Sequence, residues 1–223
     1  LWSEDLNPRQ QHLFSEFMGL VLRAESVMCL SEFTKSEYLS FRRNRVHHNS
    51  FVSVLRPPLD LKGFVARDEI PRVEKAALPS GRYPLRVLTV APLLRRKNLR
   101  TVFLALERIS TVPRVSLYLQ VVCPISASVD TEAWKSLQRL KKKPNVNLVF
   151  LRDLSDAELA KRYQDSHVVL VPSLYEGLGL PIIEAASSGA CVIASDIPVF
   201  RELREYFDFS MVPPLSVGAW ADR

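Results

Sequence analysis

Apolar residues recur along this chain in two rhythms, a helical spacing of three to four and short unbroken runs. Residues 8 to 24 carry Leu13, Phe14, Phe17, Leu20, Val21 and Leu22 at helical spacing. Glu25 to Leu30 reads as a strand. Ser31 is placed to cap a helix over Glu32 to Phe41, with Glu32 and Thr34 in its first turn. Phe51 to Leu55 is a second strand, closed by Arg56-Pro57-Pro58-Leu59-Asp60. Residues 61 to 84 have weak periodicity, several charges and three prolines, and read as a connection between two units.

From Leu85 the alternation is regular. Strands are expected over Arg86 to Val90, Val115 to Val122 and Val146 to Leu151. Asn98 is placed to cap a helix over Leu99 to Ile109, and Thr131 one running to about Lys142. Ser155 with Glu158 three residues on makes a capping box. In the helix that follows, Leu159 and Tyr163 are expected to face the sheet. Strands alternating with helices imply a parallel sheet with right-handed crossovers.

The stretch from Val168 to Leu203 organises the rest. Val168 to Val171 has the composition of a strand buried on both faces. Pro172 and Ser173 end it, and the loop from Leu174 to Leu180 holds two of the chain's seven glycines. Pro181 suits a first helical position, where a missing N–H costs nothing. Ile182, Ile183, Ala185 and Ala186 give that helix an apolar face, and Gly189 closes it. Val192 to Ala194 is the next strand, a helix follows Pro198, and Pro213 to Asp222 starts another.

A glycine loop feeding a helix start gathers open N–H groups and a positive dipole end at one spot, which suits phosphate. Glu176 in the loop and Glu184 in the helix frame it. Like charge keeps both off the phosphate, but each is suited to accept from neighbouring hydroxyls, which a nucleotide sugar offers at both ends. A second loop, residues 92 to 97, puts Arg95, Arg96 and Lys97 just before a helix N-terminus. Cations there oppose the dipole by some tenths of a kcal/mol each, and an anion between them removes the conflict. In open sheets of this class, ligands lie at the carboxyl ends of the strands, where both loops belong.

Composition narrows the class. The 223 residues are 47% hydrophobic and 24% charged, as in soluble globular chains. No apolar run of membrane-spanning length is found, and the first ten residues are neither basic nor apolar enough for a signal peptide. Cys29, Cys123 and Cys191 are odd in number and lack metal-ligand spacing, so buried thiols in a reducing compartment are expected. The net charge of +6 suits an anionic ligand or an anionic membrane surface. A basic stripe with interleaved aromatics is missing, which argues against nucleic acid. Arg42, Arg43 and Arg45 read as a solvated face, and His12, His47 and His48 as surface residues. Trp134 is expected to pack against the body, and Asp196 to be a turn acid.

The residues 172 to 185 resemble the signature P-S-x-x-E-G-x-G-L-P-x-x-E-A of retaining GT-B glycosyltransferases of the family 4 (group 1) type. Arg96-Lys97-Asn98-Leu99 is similar to that family's Arg-Lys-Asn-Leu. The stretch from Ala24 to Tyr38 and that from Leu154 to Asp165 are also family-like. This chain departs at Ala91-Pro92, where the family usually has glycine, and Ala91 would hold the backbone there further from the ligand. Glu202 matches a frequent family glutamate but gains no role from the residues alone.

The resemblance implies a Rossmann-like α/β fold: a parallel sheet with helices on both faces, plus the remnant of a second Rossmann-like domain. Residues 1–56 would end an amino-terminal acceptor domain, 57–84 would connect, and 85–223 would form the nucleotide-sugar donor domain. The implied reaction moves a hexose from an NDP-sugar to a saccharide or lipid-linked acceptor, with anomeric configuration kept. The implied catalytic residues are Glu176 on the donor sugar and Lys97 and Arg96 on the diphosphate. Donor-binding residues would be Glu184 on the ribose and Gly177, Leu178, Gly179 and Leu180 through their amides. No metal or cofactor is implied beyond the donor substrate, for which the Arg-Lys-Asn-Leu form hints at GDP-mannose. The expected place is the cytoplasm, with peripheral contact at the inner membrane face. The residue contributed near the reacting carbon by the family's amino-terminal half has no counterpart here, so a fragment, a truncated form or one module of a larger polypeptide is expected. Two alternatives stay open: a non-catalytic nucleotide-sugar-binding module, and, against the paired-glutamate loop, a sugar-nucleotide epimerase.

Overall fold

In the computed structural model, residues 8–43, 45, 50–56, 84–123 and 129–223 are described. His47, His48 and nearly all of the expected connection over residues 57–84 lie outside them.

The first unit is small. Helix α1 (Pro8–Arg23) leads into strand β1 (Ser26–Cys29), helix α2 (Glu32–Arg42) and strand β2 (Phe51–Val54). The two strands pair in parallel, from Ser26 against Phe51 to Cys29 against Val54. Ser31 caps α2 as its sequence suggests, its hydroxyl accepting from the Thr34 amide. The apolar side of α1 differs from a core-facing stripe: Leu13, Phe14, Phe17 and Leu20 are exposed, as are Met28 and Phe51 on the strands.

The second unit is a six-stranded sheet. Its elements are β3 (Leu85–Val90), α3 (Leu99–Ile109), β4 (Leu117–Val122), α4 (Thr131–Lys141), β5 (Val146–Leu151), α5 (Asp156–Asp165), β6 (Val168–Val171), α6 (Leu180–Ser187), β7 (Val192–Ser195), α7 (Pro198–Leu203), β8 (Ser210–Val212) and α8 (Val217–Asp222). The strand order is β5-β4-β3-β6-β7-β8, and each neighbouring pair is parallel.

Alternate residues of each strand enter different cores, because successive side chains point to opposite faces. Val87, Leu119, Val121, Leu170 and Ile193 join Phe103 of α3, Leu137 and Leu140 of α4 and Trp220 of α8. Leu88, Val169, Val171, Val192 and Ala194 join Tyr163 of α5, Ile182 of α6 and Phe200 of α7. Helices therefore cover both faces, as a parallel sheet requires. At roughly 25 cal/mol per Å² of apolar surface removed from water, two such layers dominate the folding energy.

Several local expectations change. β8 is a further strand that the sequence pattern does not separate from the turn before Pro213; it is only three residues long and pairs at the sheet edge. β4 begins at Leu117, two residues after the expected Val115. Asp130, not Thr131, caps α4: its carboxylate accepts from the Glu132 and Ala133 amides. Cys29 and Cys123 are buried, but Cys191 is exposed, because the turn from Gly189 into β7 leaves it outside the core. Trp134 lies near Phe150, with ring centroids 6.0 Å apart, and stays 44% exposed. Asp196 pairs with Arg201 as a turn acid. Among the described residues, no helix is long and apolar enough to cross a membrane.

Candidate functional site

β3 sits where the strand order reverses. β4 and β5 lie on one side of it, and β6, β7 and β8 on the other. A crevice opens at such a reversal, outside the carboxyl ends of the two central strands. The loops after β3 and after β6 leave from those ends, and they carry the two groups of residues singled out by sequence.

The loops are tied together by backbone and by one amide side chain. The Leu174 N–H donates to the Arg96 carbonyl at 2.8 Å. Asn98 was expected to cap α3, but its side chain accepts no helix N–H. It lies buried with a φ of 51°, a left-handed conformation that asparagine tolerates better than most residues. Its Nδ2 donates to the Pro172 carbonyl at 3.0 Å and to the Pro214 carbonyl at 2.7 Å. Thr101 donates to its Oδ1 at 2.7 Å. Asn98 thus joins the end of β6, the loop after β3 and the segment after β8.

Lys97 closes a single 3₁₀ turn, Arg95–Lys97, that sets the three cations ahead of α3. Its Nζ donates to Glu176 Oε1, and both side chains are only 11% exposed. The Arg96 guanidinium lies 3.8 Å from Glu176 Oε2. Ser173 adds a hydroxyl donor to Oε1 at 2.7 Å. The anion that the cationic turn requires is therefore supplied by the protein itself. Burying this pair carries a desolvation cost, and the Ser173 hydroxyl supplies the carboxylate with a further hydrogen bond against it.

Glycine is required at one position of the loop and not at the other. Gly179 has a φ of +90° and caps α6. A Cβ there would stand 2.8 Å from Phe200 Cε1 and 2.9 Å from Leu203 Cδ1. At Gly177 a Cβ would meet only Leu30 Cδ1, at 3.9 Å, so the fold does not ask for glycine there. Leu178 is buried, whereas Leu180 is exposed at the mouth of the helix. Helix α6 begins at Leu180, which places Pro181 second, and ends in a left-handed Gly189 with the Ala190 N–H bonded to the Ala185 carbonyl.

Glu184 follows in α6, and Tyr163 of α5 donates its hydroxyl to Glu184 Oε2 at 2.9 Å. Burial pushes the Glu184 carboxyl above its ordinary range; the tyrosine hydrogen bond opposes this and the Asp156 charge adds to it. Burial, then the Glu184 charge, pushes the Tyr163 hydroxyl up. Sequence periodicity assigned Tyr163 to packing alone. The signal it carried was its hydroxyl, which needs a partner once the ring is buried. Ala91 donates its N–H to the Val122 carbonyl at 3.0 Å, so that amide is committed to the sheet.

Glu202, to which the sequence gave no role, accepts from the Glu32 N–H at 3.0 Å and the Phe33 N–H at 2.6 Å. It crosses from α7 to the start of α2 in the first unit.

Over 70 residues the chain is 41% identical to the serotype-specific mannosyltransferase WbdA of Escherichia coli, which is 30% of this chain and 9% of that protein. Sucrose-phosphate synthase from Thermosynechococcus elongatus superposes with a TM-score of 0.66 at 24% identity, over 92% of this chain and 49% of that one. The Anabaena HepE structure in complex with UDP and glucose gives a TM-score of 0.66 at 16% identity, over 89% and 52%. The chain thus spans about half of these solved structures and a smaller share of WbdA. Residues 73–223 match the family described as glycosyl transferases group 1, and with two thirds of its length inside that match, the chain belongs to this family.

Proposed function

We propose that the protein is a retaining glycosyltransferase of the family 4 kind, moving a hexose from an NDP-sugar to a saccharide or lipid-linked acceptor. The observation that carries the reading is the meeting of Lys97 and Arg96 with Glu176 where the strand order reverses. WbdA, named a mannosyltransferase, favours mannose as the sugar and GDP-mannose as the donor. The family match supports residues 85–223 as the donor-binding unit. Residues 1–56 then end an acceptor-binding unit, and the work is done at the inner face of a membrane.

In this mechanism the donor diphosphate takes over Lys97 and Arg96. Glu176, released from them, accepts from hydroxyls of the sugar. Glu184 accepts from the ribose, held in place by Tyr163. As the bond between the anomeric carbon and the diphosphate oxygen breaks, negative charge grows on the leaving group. Lys97, Arg96 and the open N–H groups at the start of α6, around Gly177 to Leu180, stabilise that charge where it develops.

Calorimetric titration with GDP, UDP and ADP tests the site. Lys97→Ala and Glu184→Ala are each expected to weaken the best-bound nucleotide by about tenfold or more, since hydrogen bonds to charged groups contribute ~1.5–3 kcal/mol. Unchanged affinity in both variants overturns the assignment. Release of nucleotide from an NDP-sugar in the presence of acceptor separates a transferase from a module that only holds the donor.

A further inference from the structure

The outer wall of the glycine loop comes from the first unit. Thr34 Oγ1 donates to the Gly177 carbonyl at 3.3 Å. Phe33 meets Tyr175 edge-on, with ring centroids 5.3 Å apart. Leu30 Cδ1 is the atom nearest to a Cβ at Gly177. All three belong to the corner between β1 and α2, so one short turn touches residues on both sides of Glu176.

That corner is fastened from α7. The first N–H groups of a helix have no partner within it. Ser31 takes the N–H of Thr34, and Glu202 takes those of Glu32 and Phe33. A carboxylate suits this place twice over, through charge-assisted hydrogen bonds and through the positive end of the helix dipole. Arg56 lies 4.0 Å from the same carboxylate. The same helix α7 backs the loop from beneath, with Phe200 and Leu203 under Gly179. The loop is therefore gripped between α7 and the β1–α2 corner, and one side chain ties the two together across the units.

We infer that Glu202 is a positioning residue: by capping α2 it holds Phe33 and Thr34 against the glycine loop and so sets where Glu176 stands. This rests on the reading that Glu176 takes the hydroxyls of a donor sugar. Lys97 and Glu184 are anchored by other means, the first through the loop that Asn98 ties and the second through Tyr163. Losing the cap therefore moves the sugar contact, while Lys97, Glu184 and the start of α6, backed at Gly179 by Phe200 and Leu203, keep their hold on the nucleotide.

The test compares affinity for a sugar nucleotide with affinity for its parent nucleotide. The full chain is titrated with GDP-mannose and GDP, or UDP-glucose and UDP, whichever pair the wild type binds. Glu202→Gln sets an amide N–H₂ against one of the two backbone donors. It is expected to lower the sugar-nucleotide affinity by about tenfold, while the parent nucleotide stays within about twofold, a loss worth one or two hydrogen bonds. Thr34→Val keeps the shape, removes the bond to Gly177 and should shift the ratio the same way; it also serves if Glu202→Gln fails to fold. Faster amide exchange at Glu32 and Phe33 in Glu202→Gln accompanies the effect. A loosened fold without a positioning role lowers both affinities together, and that result overturns the inference. It is also overturned if Glu176→Ala collapses the ratio while Glu202→Gln and Thr34→Val leave it intact. If Glu176→Ala itself leaves the ratio unchanged, or the wild type binds neither pair, the reading of the site under Proposed function fails instead, and the inference falls with it.

Discussion

The hydroxyl of Tyr163 on α5 donates to Oε2 of Glu184 on α6 at 2.9 Å, joining the polar tip of a fully buried ring to the acid proposed to hold the ribose. Glu184 holds its proton more tightly in the folded chain than its ordinary value of 4.5, chiefly because burial disfavours the charge. A carboxyl raised in this way contributes stability that is full below about pH 4.5 and lost as pH rises through the raised folded value. Glu184→Gln removes the charge that burial penalises. It is expected to melt at a higher temperature than wild type near neutral pH, with the gap closing in acid. Scanning calorimetry at the two pH values checks this.

Tyr163→Phe removes the hydrogen bond that opposes the rise. Glu184 then protonates at higher pH than in wild type, so the acid limb of nucleotide binding moves upward in pH. Affinity measured across the acid range reads the shift directly. A variant that loses affinity equally at every pH speaks against the pairing.

Lys97 and Arg96 both pair with Glu176, so under the proposed function a ligand phosphate has to compete with Glu176 for them. Glu176→Gln removes that competition. It should bind inorganic pyrophosphate more tightly than wild type, by about tenfold if roughly 1.4 kcal/mol of pairing is released. Lys97→Ala should bind it more weakly. Isothermal titration of both variants with pyrophosphate decides the matter.

The two loop glycines separate stability from binding. Gly179→Ala forces a Cβ into Phe200 and Leu203 at a positive φ and is expected to cost about 1–3 kcal/mol in denaturant unfolding. Gly177→Ala meets nothing closer than 3.9 Å and should leave the unfolding midpoint nearly unchanged. If Gly177 leaves room for a ligand, that variant loses nucleotide affinity while keeping its stability.

Asn98→Ala leaves the Pro172 and Pro214 carbonyls without their shared donor. An expected loss of about 2–4 kcal/mol follows, since unsatisfied buried groups cost ~1–3 kcal/mol each. Chemical denaturation measures it.

The alternation of apolar runs and helical stretches was enough to name the α/β class and nearly every element from Leu85 onward, because period and length are local properties. The same holds for the glycine-to-helix step at Gly179 and for the capping box of Ser155 and Glu158, which the structure contains. Local pattern fails where the deciding partner is distant. Asn98 looks like a cap, and its amide is spent on two carbonyls 74 and 116 residues away. β8 is three residues long and exists because β7 offers it an edge.

What the sequence determined by itself was which residues stand at the carboxyl ends of strands and what charge each carries. Tertiary structure alone decided that the strand after Leu85 and the strand after Val168 are neighbours, which brings Lys97 onto Glu176 across 79 positions. It alone turned Tyr163 toward Glu184, and Glu202 toward the start of α2. The reason is physical: spacing along a chain fixes which face a side chain is on, but the order of strands in a sheet is set by how whole layers pack.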